Sequence, residues 1–508
     1  MDRQADVLLV NPTRTGVDSY CTPPVHLMYL SRALRDAGFT ARILNVHERF
    51  CKETGVSENN EANLAIKRRV EHEAIEEVLG SDARLIGIGS ICSSYEFTER
   101  LARELKARRP TPLVLGGSLG LPLKDLWFRH TEVDYLCEAD GERVIVELVR
   151  HLDDPEKVRR IPGLHWRAGD GWRGLAPDLP ADLDYIRPPD LCEIDYEFYM
   201  DIEHRWVNRT LPPSLRLGDE DRVWPVVLTR GCVYNCTFCF HFNRRHRRHS
   251  IGYVVDHLRH LRDEFGVTVV VTWDDLVMAS PRWFMDLCAA LEKAALGVRI
   301  YTSGGKANLF TRRMGEAMAR ANFVRVSFGI ESGSQRILDE MQKKTTVEDN
   351  RNAVRWAAAA GLFVHMNMVL GMPGETRETL DETYRFLIDV VRENGLLLWN
   401  LSFAFATAYP GTQLFDRAQA AGLVPDLRQY ILNVKGVGHP EPLLCRLTED
   451  DLKAFLAKVN AKVMDMQLVR EGRHLRRIAN RMIRSRAASA LARFVPRPLK
   501  ERIGDWLR

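Results

Sequence analysis

No apolar run in the sequence reaches the ~18 residues that a bilayer-spanning helix needs, so a chain threaded through a membrane is not expected. The opening MDRQADVLLVNP lacks a basic start, a long apolar stretch and a small-residue cleavage site, so export is not expected either. Cysteine is sparse: ten residues, at 21, 51, 92, 137, 192, 232, 236, 239, 288 and 445, are scattered over 508 positions. That scatter favours reduced thiols or metal ligands over a disulfide framework and points to the cytoplasm. Low-complexity tracts and fixed-period repeats are also missing. A composition of 45% hydrophobic and 28% charged residues excludes disordered, collagen-like and disulfide-scaffold chains, because enough apolar surface is present to form cores. The length suggests two to four domains.

Net charge is only +4, but it is unevenly placed. Residues 470–508 carry twelve Lys/Arg against three Asp/Glu, leaving the rest of the chain net acidic. Within that segment Leu475, Ile478, Met482 and Ile483 fall at helical spacing among arginines, the pattern of a basic amphipathic helix. Such a helix can lie on an anionic membrane surface, cover another domain or bind an acidic partner.

Four segments emerge along the chain. Residues 1–152 alternate short apolar runs with amphipathic stretches: strands at Asp6–Val10, Thr40–Val46, Arg84–Ser90, Pro112–Leu115 and Val133–Cys137, helices at Val25–Ala37, Ser94–Arg108 and Glu142–Leu152. This βα alternation predicts a doubly wound parallel sheet, Rossmann-like, with helices on both faces. Residues 48–80 read as an inserted helical excursion, and 153–222, rich in Pro, Asp and Trp, as a locally packed linker. From Val223 to residue 425 six more strands alternate with helices near 251–265, 281–295, 311–321, 346–360 and 376–394. Six βα repeats are too few for a closed eightfold barrel and predict a partial (β/α)6 TIM-type barrel, with chemistry at the C-terminal strand ends. Residues 426–508 are expected to form a helical, basic C-terminal region.

The strongest chemical signal is TRGCVYNCTFCF, which sets Cys232, Cys236 and Cys239 in a C-x3-C-x2-C array just after the first barrel strand. Three thiolates can hold three irons of a [4Fe-4S] cluster and leave the fourth open to a ligand, whereas four would close it. A zinc site completed by His241, or unliganded buried thiols, are the competing readings; structural zinc spacings are more often two distant pairs.

The array resembles the cluster loop of the radical S-adenosylmethionine (SAM) superfamily. The likeness extends to Trp273-Asp274-Asp275, SFGIESGS (327–334), GMPGET (371–376) and AYPGT (408–412), each following a strand. It implies that Cys232, Cys236 and Cys239 ligate the cluster, with Asp275 and Glu331 the leading SAM contacts. Phe238, Asp274, Ser303, Ser332 and Gly371 complete the implied cofactor-binding set on this side.

The first domain resembles the cobalamin-binding domain that precedes the radical domain in one large subfamily, through VLLVNP, Thr22-Pro23-Pro24, YLSRALRDAGF, GIGSICSSY, LVLGGS and CEADGERVIVEL. The implied contacts are Asn11, Pro24, Ser90, Ser93, Gly116, Gly117, Ser118, Gly141 and Glu142. The chain departs from related patterns in lacking a D-x-H-x-x-G motif, in Asn45 where an acid is common, and in Ala139-Asp140 within the turn before Gly141.

Together these resemblances imply a cobalamin-dependent radical SAM methyltransferase acting on an unactivated carbon or phosphorus centre of a small or lipid-like metabolite. One SAM would methylate cobalamin; a second would be cleaved to a radical that activates the substrate. An external one-electron reductant of flavodoxin or ferredoxin type is implied, nucleic acid is not, and the basic tail would make any peripheral contact with the inner membrane face. Ring formation or rearrangement by the same cofactors is the alternative chemistry. A redox cluster carrier, or a methylthiotransferase with Cys21, Cys51 and Cys92 as a second cluster site, is the alternative class. Local sequences around those three cysteines do not match such enzymes, and buried structural thiols are the better reading. The run RRHRRHS (244–250) is either an anion site or a solvated turn whose Ser250 caps the next helix.

Overall fold

The computed structural model describes residues 5–14, 21–55, 61–138, 140–396, 400–434 and 444–470. The basic amphipathic segment expected near the C-terminus lies outside them from residue 471 onward.

The first domain is a seven-stranded sheet of β1 (Val7–Asn11), β2 (Ala41–Asn45), β3 (Leu85–Gly89), β4 (Leu113–Gly116), β5 (Tyr135–Cys137), β6 (Leu164–Ala168) and β7 (Gly171–Gly174). Its order is β2-β1-β3-β4-β5-β6-β7. The first five strands are parallel. Strand alternation divides the apolar residues between two covered faces. Val7 and Leu9 of β1 join Leu27, Leu34, Ile145 and Leu148 of helices Val25–Asp36 and Glu142–Arg150. Leu8 and Val10 instead meet Val70, Ala74 and Leu101 of helices Glu61–Leu79 and Tyr95–Arg108. Because β2 lies on one side of β1 and β3 on the other, the two connections leave a crevice above the C-terminal ends of β1 and β3.

Residues 153–222 correct the linker expectation. β6 and β7 from this segment extend the sheet as an antiparallel hairpin, so the sheet is mixed at that edge. LHWRA and GWRG are half exposed, polar and glycine-rich, so no apolar alternation marks them. The helix Tyr196–Arg209 is capped by Asp195, whose side chain accepts from Phe198 N. Its Val207 packs against Val223, Val269, Val271 and Tyr301 of the second sheet, while Tyr199 accepts a hydrogen bond from Asn45 Nδ2 of β2. The segment thus fastens both domains.

The second sheet contains β8 (Val223–Val226), then β11 (Val269–Thr272), β12 (Arg299–Gly305), β13 (Phe323–Glu331), β14 (Phe363–Leu370) and β15 (Leu401–Phe405), in that spatial order. All are parallel, and β8 and β15 end the sheet, giving the six-stranded partial barrel. Between β8 and β11 the short strands β9 (Thr229–Arg230) and β10 (Arg247–Arg248) pair antiparallel. Beyond β15, Arg428 donates to both carboxylate oxygens of Glu99 at 3.0 and 2.8 Å, returning the chain to the first domain. The helix Glu449–Arg470 packs along Arg377–Asn394 through Lys458–Asp381 and Arg377–Asp451. Among the described residues no helix is long and apolar enough to cross a membrane.

Candidate active site between the two sheets

The β9–β10 ladder closes the base of the loop carrying Cys232, Cys236 and Cys239. Gly231, with φ +84°, opens it; a Cβ there would stand 2.4 Å from Arg245 O, so only glycine fits. Thr237 anchors the middle, donating its N–H to Met341 O at 3.0 Å and accepting from Leu414 N at 2.8 Å. Phe238 packs under the loop with Ile337, Met341, Met372 and Leu414, while Phe240 meets Phe242 edge-on at 5.1 Å. Cys236 is buried, Cys232 half-buried and Cys239 exposed.

Burial pushes the Cys232 thiol upward, while the nearby Lys306 charge favours its thiolate. Burial lowers Lys306 to about 8, and its ammonium lies 4.1 Å from the Tyr234 ring. Burial likewise opposes charge on Lys343, but Glu331 outweighs it and the pKa is raised. No three of Cys232, Cys236, Cys239 and His241 bring donor atoms within 4.8 Å of one another, the convergence that one zinc ion requires. Three thiols on one loop, spaced too widely for one ion and faced by two ammonium groups, fit a polynuclear, negatively charged cluster.

The acidic residues separate into distinct roles. Asp274 Oδ1 is enclosed by Leu228 N, Thr229 N and Thr229 Oγ1. Burial raises its pKa to about 7, and it clamps the β8–β9 turn rather than facing open space. Asp275 accepts from Gly231 N at 3.0 Å, immediately before Cys232, and also lines the interdomain cavity. Glu331 ends β13 at a bulge with φ +62° and accepts from Lys343 Nζ at 2.6 Å. Gly329 leaves room for that pair: a Cβ would lie 2.3 Å from Glu331 Oε1. Ser303 bonds to Thr272 across the strand ends. Ser332 Oγ is held against Thr383 Oγ1 at 3.1 Å, and Gly371, with φ +86°, donates to Glu375. These last three shape the strand-end loops.

A cavity of about 470 Å³ opens between the sheets. The first domain supplies Leu9, Gly87, Gly89, Ser90, Val114, Gly116, Gly117, Gly141, Glu142 and Ile145; the barrel supplies Thr229, Arg230, Gly231, Phe242, Trp273 and Asp275. Backbone forms much of its floor. A Cβ on Gly117 (φ +87°) would strike Ser90 O at 2.4 Å, and one on Gly89 would strike His26 Nε2 at 2.6 Å. Asn11, at the end of β1, is not among the cavity walls and donates to Asn45 Oδ1 at 2.8 Å. Pro24 accepts the first helical bonds of Val25–Asp36, and Ser93 is buried in a 3-10 turn; neither of these, nor Ser118, is among the cavity walls.

The RRHRRHS run divides between its two readings. Ser250 caps helix Ile251–Phe265, accepting from Tyr253 N at 3.2 Å. Arg247 is fully buried and pairs with Asp140 at 2.5 Å, while Arg230 pairs with Glu142 at 2.8 Å. Sequence reading missed Arg14, His26, Tyr29, Arg230 and Phe242 as cavity walls. His26 lies two residues after the Thr22-Pro23-Pro24 signature, and Arg230 directly precedes Gly231, but neither position has an intrinsic signal of facing the opposite domain.

Residues 226–387 match the radical SAM superfamily. The chain is 28% identical to an uncharacterized methyltransferase of Pyrococcus horikoshii, over 68% of this chain and 71% of that protein. It is 26% identical to cytidylyl-2-hydroxyethylphosphonate methyltransferase of Streptomyces wedmorensis, over 87% of this chain and 88% of that one. The structure of the radical SAM methyltransferase TsrM from Kitasatospora setae, with cobalamin and a [4Fe-4S] cluster bound, superposes with a TM-score of 0.62 at 17% identity, covering 83% of this chain and 76% of that one. The stretch that builds the barrel, residues 226–387, is thus a radical SAM domain. The chain shares with that structure the fold of a parallel-sheet domain followed by a partial barrel.

Proposed function

We propose that the protein is a cobalamin-dependent radical SAM methyltransferase acting on an unactivated carbon or phosphorus centre of a small or lipid-like substrate. The observation that carries this reading is the shared cavity: the glycine-floored strand ends of one sheet face Arg230, Gly231 and Asp275, which lead directly into the Cys232 loop. When bound, the cluster and SAM supply a radical and cobalamin supplies a transferable methyl group.

The chain's own residues bind, orient and exclude water. Cys232, Cys236 and Cys239 hold the cluster, Lys306 and Lys343 offset its charge, and the carboxylates of Glu331 and Asp275 face the SAM side. Gly87, Gly89, Gly116 and Gly117 would admit a flat macrocycle against backbone, with Gly141 and Glu142 in the same wall. Phe240 and Phe242 shield the loop. Turnover requires an external one-electron donor of flavodoxin or ferredoxin type, and residues 470–508 would make any peripheral membrane contact.

Anaerobic reconstitution with iron, sulfide and cobalamin, followed by SAM and a strong reductant, tests the reading. Expected are 5'-deoxyadenosine that disappears in Cys236→Ala, and cobalamin retained by the protein. Deoxyadenosine formed without cobalamin retention would sink the methyltransferase reading. Substrate screening then distinguishes a product gaining CH2 from a rearranged one. The latter reading is kept because the chain is also 26% identical to an anaerobic magnesium-protoporphyrin IX monomethyl ester cyclase of Cereibacter sphaeroides, over 80% of this chain and 62% of that protein.

A further inference from the structure

Cys21, His47 and Cys51 take no part in the site described above, yet the fold gathers them. Cys21 and His47 are completely buried, and Cys51 is 1% exposed. Their ligating atoms lie within 4.8 Å of one another, with Cys51 Sγ 3.6 Å from His47 Nε2. A sulfur at ~2.3 Å and a nitrogen at ~2.1 Å on one tetrahedral zinc stand about 3.6 Å apart, so this pair already has the spacing of two ligands on one ion.

The local structure explains the convergence. His47 and Cys51 are four residues apart on helix Val46–Thr54 and therefore share a face. Cys21 enters from the segment just before helix Val25–Asp36. Cys92, which sequence spacing grouped with Cys21 and Cys51, is not in the cluster. Soft thiolates with one imidazole suit zinc, which binds by displacing the thiol protons.

We propose that Cys21 Sγ, Cys51 Sγ and His47 Nε2 form a zinc site, its fourth position taken by water or a small thiolate. No other His, Cys, Asp or Glu among the described residues completes the set. The ion would tie the segment before helix Val25–Asp36 to the helix after β2. The site adjoins the cavity wall, because Arg14 N donates to His47 Nδ1 at 3.4 Å and Arg14 Nη1 donates to Thr22 Oγ1 at 3.2 Å. Arg14 and Thr22 both line the cavity. Zinc at Nε2 places the ring proton on Nδ1, so the Arg14 main-chain contact gives way and metal occupancy is linked to the position of that wall.

The test uses the full chain purified without oxygen from zinc-supplied medium, beside a Cys232→Ser/Cys236→Ser/Cys239→Ser variant that cannot hold the cluster. Elemental analysis and zinc-edge X-ray absorption are expected to find roughly one zinc per chain with two sulfurs at ~2.3 Å and one imidazole nitrogen in both proteins. Cys51→Ser and His47→Gln should lower zinc content at least ~10-fold, as ligand loss does. Should Cys51→Ser fail to fold, the wild-type absorption spectrum and His47→Gln still decide. Zinc-free folded protein, zinc lost with the cluster cysteines, or a Cys21–Cys51 disulfide in native protein by mass spectrometry would each overturn the assignment.

Discussion

Arg230, two residues before Cys232, donates its guanidinium to Glu142 of the first domain at 2.8 Å. The pair is largely buried, at 19% and 6% side-chain exposure, and Arg230 also lies 5.2 Å from the Tyr29 ring. The loop that presents the cysteines is therefore fixed by charge to the sheet on the other side of the cavity.

Removing one member of a buried pair leaves the other uncompensated, at a cost of about 3–5 kcal/mol. Arg230→Met should lower the denaturant midpoint of the protein accordingly, and adding Glu142→Leu should recover much of the loss. A double variant as unstable as the sum of the two single ones would show that the residues do not act as a pair.

Lys343 stands between Glu331 and the cysteine loop. Lys343→Met leaves Glu331 buried without its ammonium partner, and supporting groups of this kind typically change metal affinity or activity by about 10- to 100-fold. Deoxyadenosine formation in the reconstituted variant should fall within that range; a wild-type rate would contradict the role given to Lys343.

Gly87 leaves space within the cavity wall, where a Cβ would already lie 3.0 Å from Leu9 Cδ2 and 3.5 Å from Ile145 Cδ1. Gly87→Leu should fill it. Overpacking costs about 1–3 kcal/mol, or about five- to 150-fold in affinity. Cobalamin retention, followed by its visible spectrum after gel filtration, should drop while iron content is unchanged.

Glu203 is 1% exposed within helix Tyr196–Arg209, and burial raises its pKa from the ordinary 4.5 to about 8. The folded state therefore holds this proton when the unfolded chain has released it. Stability falls as pH rises from about 4.5 to about 8 and changes no further from this source above that, with a slope of up to about 1.4 kcal/mol per pH unit. Asp274 and Glu375, each raised by burial to about 7, act in the same direction. Glu203→Gln should flatten the profile and raise stability at pH 8 relative to wild type. An unchanged slope in a urea titration across this range would refute the assignment.

Most of the strand order along the chain was legible because parallel strands buried on both faces carry runs such as DVLLV and VTVVVTW. Helix limits were equally clear where a capping side chain and a glycine bracket them, as Ser250 and Gly266 do for Ile251–Phe265. The β6–β7 hairpin was not legible, because edge strands half exposed to water have no apolar signature. Among site residues, the cysteine spacing is local and could be read directly. The difference between Asp274 and Asp275 could not: both follow β11, and only packing turns one inward onto Thr229 and the other toward Gly231. Cys21, His47 and Cys51 converge through tertiary structure that no spacing rule encodes.

Gly411 follows the last barrel strand, and a Cβ there would stand 2.9 Å from Phe240 of the cysteine loop and 3.1 Å from Pro122 of the first domain. Three segments drawn from distant parts of the chain therefore meet on one unadorned backbone position. During synthesis the first sheet emerges complete, but its Pro122 loop has no seat until almost the whole barrel has been made. Docking of the two halves is thus a late step in folding, dominated by contacts of long sequence separation. A nascent chain stalled before residue 411 should present the first domain folded but unmated, its cavity rim open to the chaperones and cofactors of the cell.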